Sequence, residues 1–155
     1  ESPESIFEVG CANGGLFKEY SERNEVKVGG LDIFPINGAK IQYPKYANNF
    51  IQLDARNEHW PIPDNSYDIV FTVGTLVLIV NPESIIKEMI RIAKDKVILA
   101  EPHSTIEKVD SNTGRTEYGY DHRYVRDYIK LFKKLGFEAE ITGEINGKTI
   151  IKCKK

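Results

Sequence analysis

Apolar residues follow two rhythms along this chain. Short runs rich in β-branched and aromatic residues predict buried strands at Ser5–Val9, Lys27–Ile33, Asn49–Leu53, Tyr67–Val73 and Lys96–Ala100. Elsewhere the apolar spacing lengthens to three and four. Pro82–Ala93 carries Ile85, Ile86, Met89, Ile90 and Ala93 on one helical face, with Pro82 in the first turn, where a missing N–H matters least. Arg123–Leu135 predicts a second amphipathic helix, with Asp121 as candidate cap and Gly136 as its stop. Leu16–Glu22 predicts a short helix, and Ile36–Tyr46 a weaker one broken near Pro44. Pro102–Gly119 is polar and irregular. Phe137–Thr142 and Lys148–Cys153 flank an Asn-Gly pair, a strong hairpin signal.

Strands alternating with helices predict an α/β fold. It is a Rossmann-like, doubly wound, mostly parallel sheet between two helical layers, closed by an antiparallel C-terminal hairpin. The 155 residues suit one domain. The longest apolar stretch, Ile69 to Val80, falls short of the roughly 20 residues that span a bilayer, so no membrane partner is expected. Two cysteines make neither a disulfide scaffold nor a metal cluster and suit a reducing, cytoplasmic setting. The net charge of −2 gives no general pull toward nucleic acid, although residues 123–155 hold nine basic against four acidic side chains. That basic end reads first as a solvated helix face and tail.

The chemistry concentrates where strands end. Glu8-Val9-Gly10-Cys11-Ala12-Asn13-Gly14-Gly15 is a glycine-containing turn leaving the first strand, where a doubly wound sheet binds ligands. Glu8 lies inside an otherwise apolar strand, and a buried carboxylate is costly unless paired. Its partner is either the N–H groups of the loop or a cationic ligand. Asp32 closes the second strand, where an acid can accept from both ribose hydroxyls of a nucleoside.

These segments resemble the class I S-adenosylmethionine-dependent methyltransferases, of the type 11 kind. Their first motif, an acid followed by spaced glycines, is matched by E-V-G-C-A-N-G at Glu8–Gly14, with Ala12 in the middle-glycine position. An alanine there is tolerable if its φ stays negative. Their second motif is matched by Gly30-Leu31-Asp32-Ile33, and the acid after strand three by Leu53-Asp54-Ala55. Trp60-Pro61-Ile62-Pro63-Asp64-Asn65-Ser66-Tyr67-Asp68 is similar to the family's segment before strand four. A looser likeness, Phe71–Leu76 with Ile79–Glu83, points to methyltransferases of sugar metabolism and assigns no acceptor.

The resemblance implies S-adenosylmethionine as cofactor and S-adenosylhomocysteine as product. Glu8 would face the methionine ammonium, and Gly10, Ala12, Asn13 and Gly14 would let the backbone hug the cofactor. Asp32 would hold the ribose, Ile33 would pack on the adenine, and Asp54 and Ala55 would meet its edge. Thr72 and Val73 would offer backbone groups to the methionine portion. It also implies one domain over residues 1–155, without the helices that precede the first strand in this family.

Methyl transfer to a hydroxyl or protonated amine of a small-molecule acceptor would use a general base, for which His103 and His122 are the candidates. Cys11 has no histidine near it in sequence and reads as a packing residue. Three alternatives stay open. Gly10, Ala12 and Gly15 also satisfy the nicotinamide fingerprint of an NAD-dependent oxidoreductase. The basic C-terminal third admits a nucleic-acid methyltransferase. The fold also admits a non-catalytic S-adenosylmethionine-binding subunit.

Overall fold

A computed structural model of the protein describes residues 2–18, 25–110 and 123–155. Strands β1 (Ser5–Val9), β2 (Lys27–Asp32), β3 (Phe50–Gln52), β4 (Tyr67–Val73) and β5 (Ala93–Glu101) are parallel neighbours in the order 3-2-1-4-5. Two further strands, β8 (Ala139–Ile145) and β9 (Lys148–Lys154), extend the same sheet, with β9 antiparallel to β5 and β8 outermost. Chain order reverses between β1 and β4, which makes the carboxyl ends of those strands the place for a ligand.

Both faces of the sheet are covered, as the near-continuous apolar strands require. Phe7 and Val9 of β1 face one core with helices α2 (Glu83–Ile92) and α3 (Tyr128–Lys134). Ile6 faces the other, with Phe17, Ile36, Phe50 and helix α1 (Asn37–Gln42). α2 buries Ile85, Ile86, Met89 and Ile90, as its spacing predicts, and also Ile92, while Ala93, expected on the same face, opens β5. Its Arg91 donates to the Ile62 and Trp60 carbonyls at 2.7 and 3.2 Å and pairs with Glu88 and Asp64 at 2.7 and 2.6 Å, fastening the proline-rich segment before β4. Asp68 accepts the Glu4 and Ser5 N–H groups at 2.8 and 2.9 Å, far from the ligand edge. The Asn146-Gly147 turn has both residues at positive φ, +48° and +71°, the geometry that suits a two-residue hairpin.

Two expectations change. The helix expected from Arg123 begins at Tyr128, capped by Asp127, whose carboxylate accepts the Lys130 N–H at 3.0 Å. The residues before it, Arg123–Val125, form β7 and pair with β6 (Lys108–Asp110) inside the stretch expected to be irregular. Gly15–Phe17 is a 3-10 turn leading into a helical Lys18, where the short helix Leu16–Glu22 was expected, and the remaining residues of that helix lie outside the described part. No described helix is long and apolar enough to cross a membrane.

Candidate cofactor cleft

The turn after β1 is laid against the end of β2. Gly10 and Cys11 both donate backbone N–H groups to the Leu31 carbonyl, at 2.8 and 3.1 Å. Gly10 has φ of +80°, and a Cβ there would lie 2.1 Å from Thr75 Oγ1, so only glycine lets the β1 and β4 loops close on each other. The Ala12 N–H donates to Asp32 Oδ2 at 2.8 Å, and the Phe34 N–H to Asp32 Oδ1 at 2.9 Å. Ala12 has φ of +45°, which corrects the expectation of a negative value. The middle position of the motif needs the left-handed conformation, and here an alanine adopts it at a cost of about 1–2 kcal/mol.

A cleft of about 120 Å³ opens beside this turn. It brings together Gly10, Asp32, Ile33, Asp54 and Ala55 of the expected set. Ile33 and Phe34 are exposed at its rim. Glu8, Ala12, Asn13, Gly14, Thr72 and Val73 do not line it. Asn13 lies against Gly38 of α1, where its Oδ1 would be 2.4 Å from an added Cβ. Thr72 is buried, with Oγ1 3.4 Å from Glu101 Oε1.

Glu8 is the electrostatic anomaly. Its side chain is 3% exposed, and its Oε2 has no hydrogen-bond partner among the described residues. Burial, and then the neighbouring Asp32 charge, push its pKa up to about 8. No described loop N–H meets Oε2, so the loop partner expected for Glu8 is not made at this oxygen. Cys11, beside it, is buried, and burial first and then Glu8 and Asp32 push its thiol up to about 12, which makes it an inert packing group.

On the far wall, Asp54 is held by Arg56, whose Nε and Nη2 reach its two oxygens at 2.9 and 2.5 Å and whose backbone N–H adds a third bond. That guanidinium holds the Asp54 carboxyl below its ordinary value. The Ala55 carbonyl accepts from the indole of Trp60 at 3.1 Å, a fully buried ring that fixes this loop from below.

The sequence reading missed the opposite wall. Thr75, Leu78 and Ile79 line the cleft after β4. They rest on Glu101, fully buried at the end of β5, whose Oε1 accepts the Thr75 and Leu76 N–H groups at 2.9 and 3.0 Å and whose Oε2 accepts that of Val77 at 3.1 Å. The signal was present, since an acid ends a buried strand here as at Asp32. His103 does not line the cleft: its Nδ1 accepts the Tyr128 N–H at 3.3 Å. His122 lies outside the described residues. No group of three His, Cys, Asp or Glu side chains that could hold a metal occurs among the described residues.

A mostly parallel sheet with an antiparallel hairpin, and a cleft lined by Asp32 and Asp54 at its switch point, define a Rossmann-like α/β fold. A family model described as a methyltransferase domain matches residues 7–100, and the chain belongs to that family. Solved structures agree on the fold. An S-adenosylmethionine-dependent methyltransferase from Methanosarcina mazei is 19% identical with a TM-score of 0.73, covering 100% of this chain and 93% of that one. A Burkholderia thailandensis 1,6-didemethyltoxoflavin N1-methyltransferase, solved with bound 1,6-didemethyltoxoflavin and S-adenosylhomocysteine, is 10% identical with a TM-score of 0.73, covering 99% of this chain and 71% of that one. An Aquifex aeolicus S-adenosylmethionine-dependent methyltransferase is 19% identical with a TM-score of 0.64, covering 97% and 81%.

Proposed function

We propose that this chain transfers a methyl group from S-adenosylmethionine to a small-molecule acceptor. The observation that carries the reading is the buried Glu8 oxygen with no described partner, on the strand that ends just before cleft-lining Gly10, a place suited to a cation. An ammonium there would relieve its burial without a further polar group. The remaining donors fit the same cofactor. Asp32 gives one lone pair on each oxygen to the backbone and keeps others for ribose hydroxyls. Ile33 and Phe34 offer apolar surface to the adenine. Asp54 and the Ala55 N–H stand at its edge, with Arg56 sharing the Asp54 carboxylate. Gly10, Ala12, Asn13 and Gly14 shape the turn, and Thr72 and Val73 end the strand that faces the methionine portion.

The cofactor supplies a methyl on sulfur with a neutral leaving group. The protein's task is to hold that methyl in line with the acceptor atom, and alignment of this kind is worth several kcal/mol. His103 Nδ1 accepts the backbone N–H of Tyr128, the first residue of α3, and His103 does not line the cleft. We therefore assign His103 to anchoring α3 and leave His122 as the candidate base.

The nicotinamide alternative is disfavoured because a dinucleotide diphosphate would lie close to the Asp32 carboxylate. Calorimetry decides between them. S-adenosylhomocysteine is expected to bind and NAD to give no heat; absence of S-adenosylhomocysteine binding overturns the proposal. Salt-dependent RNA binding would instead move the acceptor from a small molecule to nucleic acid.

A further inference from the structure

The cleft wall after β4 is held from two sides by opposite charges. On its N–H side, Glu101 takes three consecutive backbone donors, Thr75, Leu76 and Val77. On its C=O side, Arg126 donates from Nη2 to the Ile79 and Val80 carbonyls, both at 2.6 Å, and from Nη1 to Leu76 at 3.3 Å. The Arg126 guanidinium stacks 4.4 Å from the Tyr124 ring, which fixes its plane. Thr75 Oγ1 carries the restraint onward by donating to the Val9 carbonyl at 3.3 Å, above Glu8. The two charged groups come from elements outside the cofactor motifs, the end of β5 and the residue after β7.

This arrangement does more than fill hydrogen bonds. Thr75, Leu78 and Ile79 reach the cleft, while Leu76 and Val77 are buried beneath them. The position of this turn therefore sets the width of the cleft on that side. Charge-assisted bonds are shorter and stiffer than neutral ones, so they suit a part whose position matters. A guanidinium, with its planar fork, can meet several carbonyls at once, which an ammonium cannot.

We propose that Glu101 and Arg126 are positioning residues of the methyl-transfer site, clamping the Thr75–Ile79 wall against the cofactor from its two ends. This rests on the methyltransferase reading above. It adds that the segment after β5 governs cofactor geometry through Arg126, although that segment lies outside the cofactor motifs.

The test measures S-adenosylhomocysteine affinity by calorimetry for wild type, Glu101→Gln, Arg126→Lys and Arg126→Ala, with thermal unfolding alongside. Lys134→Ala, which loses only a surface pair with Glu83, serves as control. Glu101→Gln keeps the shape but turns an amide N–H toward the Val77 N–H. Affinity is expected to fall about tenfold or more in Glu101→Gln and Arg126→Ala, the scale of one to two such bonds. Arg126→Lys should fall between Arg126→Ala and wild type, and Lys134→Ala should match wild type. A purely structural role predicts lower melting temperatures with unchanged affinity in the folded protein, and that result overturns the proposal. If Glu101→Gln does not fold, the two Arg126 variants decide, with unchanged affinity in both again overturning it. A wild type that does not bind would instead overturn the methyltransferase reading.

Discussion

Ala12 donates its backbone N–H to Asp32 Oδ2 at 2.8 Å while holding φ at +45°. The acid that ends β2 is therefore also the strut that keeps the β1 turn in place. Its second oxygen does the same for Phe34 at 2.9 Å. A left-handed alanine persists because its N–H is wanted in that direction, and its exposed methyl contributes little packing in return.

Ala12→Gly should therefore stabilise the protein. Relief of the left-handed conformation is worth about 1 kcal/mol, which for a chain of this size raises the melting temperature by about 2–4 °C. Thermal unfolding by circular dichroism checks it. A lower melting temperature would mean that the flexibility gained by the unfolded chain outweighs the strain.

Asp32→Ala should act twice. It removes two backbone-to-carboxylate bonds as well as the proposed ribose acceptor, and bonds to a charged group are worth about 1.5–3 kcal/mol. The variant should melt lower and bind S-adenosylhomocysteine at least tenfold more weakly. Loss of stability with unchanged affinity would remove Asp32 from the ribose.

Glu8 predicts a proton release. With its pKa near 8, the free protein holds this group mostly protonated at pH 7. An ammonium beside it favours the charged form, so binding expels the proton. Calorimetry at pH 7 in buffers of different ionisation enthalpy should report close to one proton released per S-adenosylhomocysteine. Glu8→Gln should abolish the release and weaken binding.

The same shifts set the pH profile of stability in the ligand-free protein. Glu8 at about 8 and Glu101 at about 7 are both raised from an ordinary 4.5, so the folded state binds protons more tightly. Their contribution is complete below about pH 4.5 and is lost as pH rises through 7 and 8. Asp54, Asp68 and Glu88 are shifted the other way and are lost as pH falls below their ordinary values. Denaturant midpoints should peak near pH 5 and decline to about pH 8.5, and Glu8→Gln should flatten the upper part of that decline. A flat profile between pH 5 and 8.5 would contradict the burial of both carboxylates.

Trp60→Phe tests the lower support of the cleft. The phenyl ring keeps most of the burial but loses the indole bond to the Ala55 carbonyl at 3.1 Å. A loss of about 1 kcal/mol is expected, with weaker S-adenosylhomocysteine binding. Wild-type affinity in a folded Trp60→Phe protein would show that Ala55 needs no such support.

Much of this was legible in the sequence because the strands announce themselves and their last residues carry the chemistry. Asp32, Asp54 and Gly10 fall where strands end, and the sheet brings strand ends together whatever the loops do. Arg123–Val125 misled because its apolar spacing continues that of α3, and pairing with β6 across the chain leaves no local mark. Ala12 misled because a residue name does not reveal which direction an N–H must point. Glu101 and Arg126 escaped for a related reason. Their partners are backbone groups, 24 to 26 residues away for Glu101 and 46 to 50 for Arg126, and backbone groups look alike in every sequence.

One missing carbon has a practical consequence. Because no Cβ fits at Gly10 above Thr75, the β1 and β4 loops act as a fixed jaw whose hinge cannot be shimmed. Redesign of the cleft for a bulkier cofactor analogue should leave that jaw alone. It should carve space instead at Ile33, Phe34 and Leu78, where side chains end in the opening rather than between two backbones.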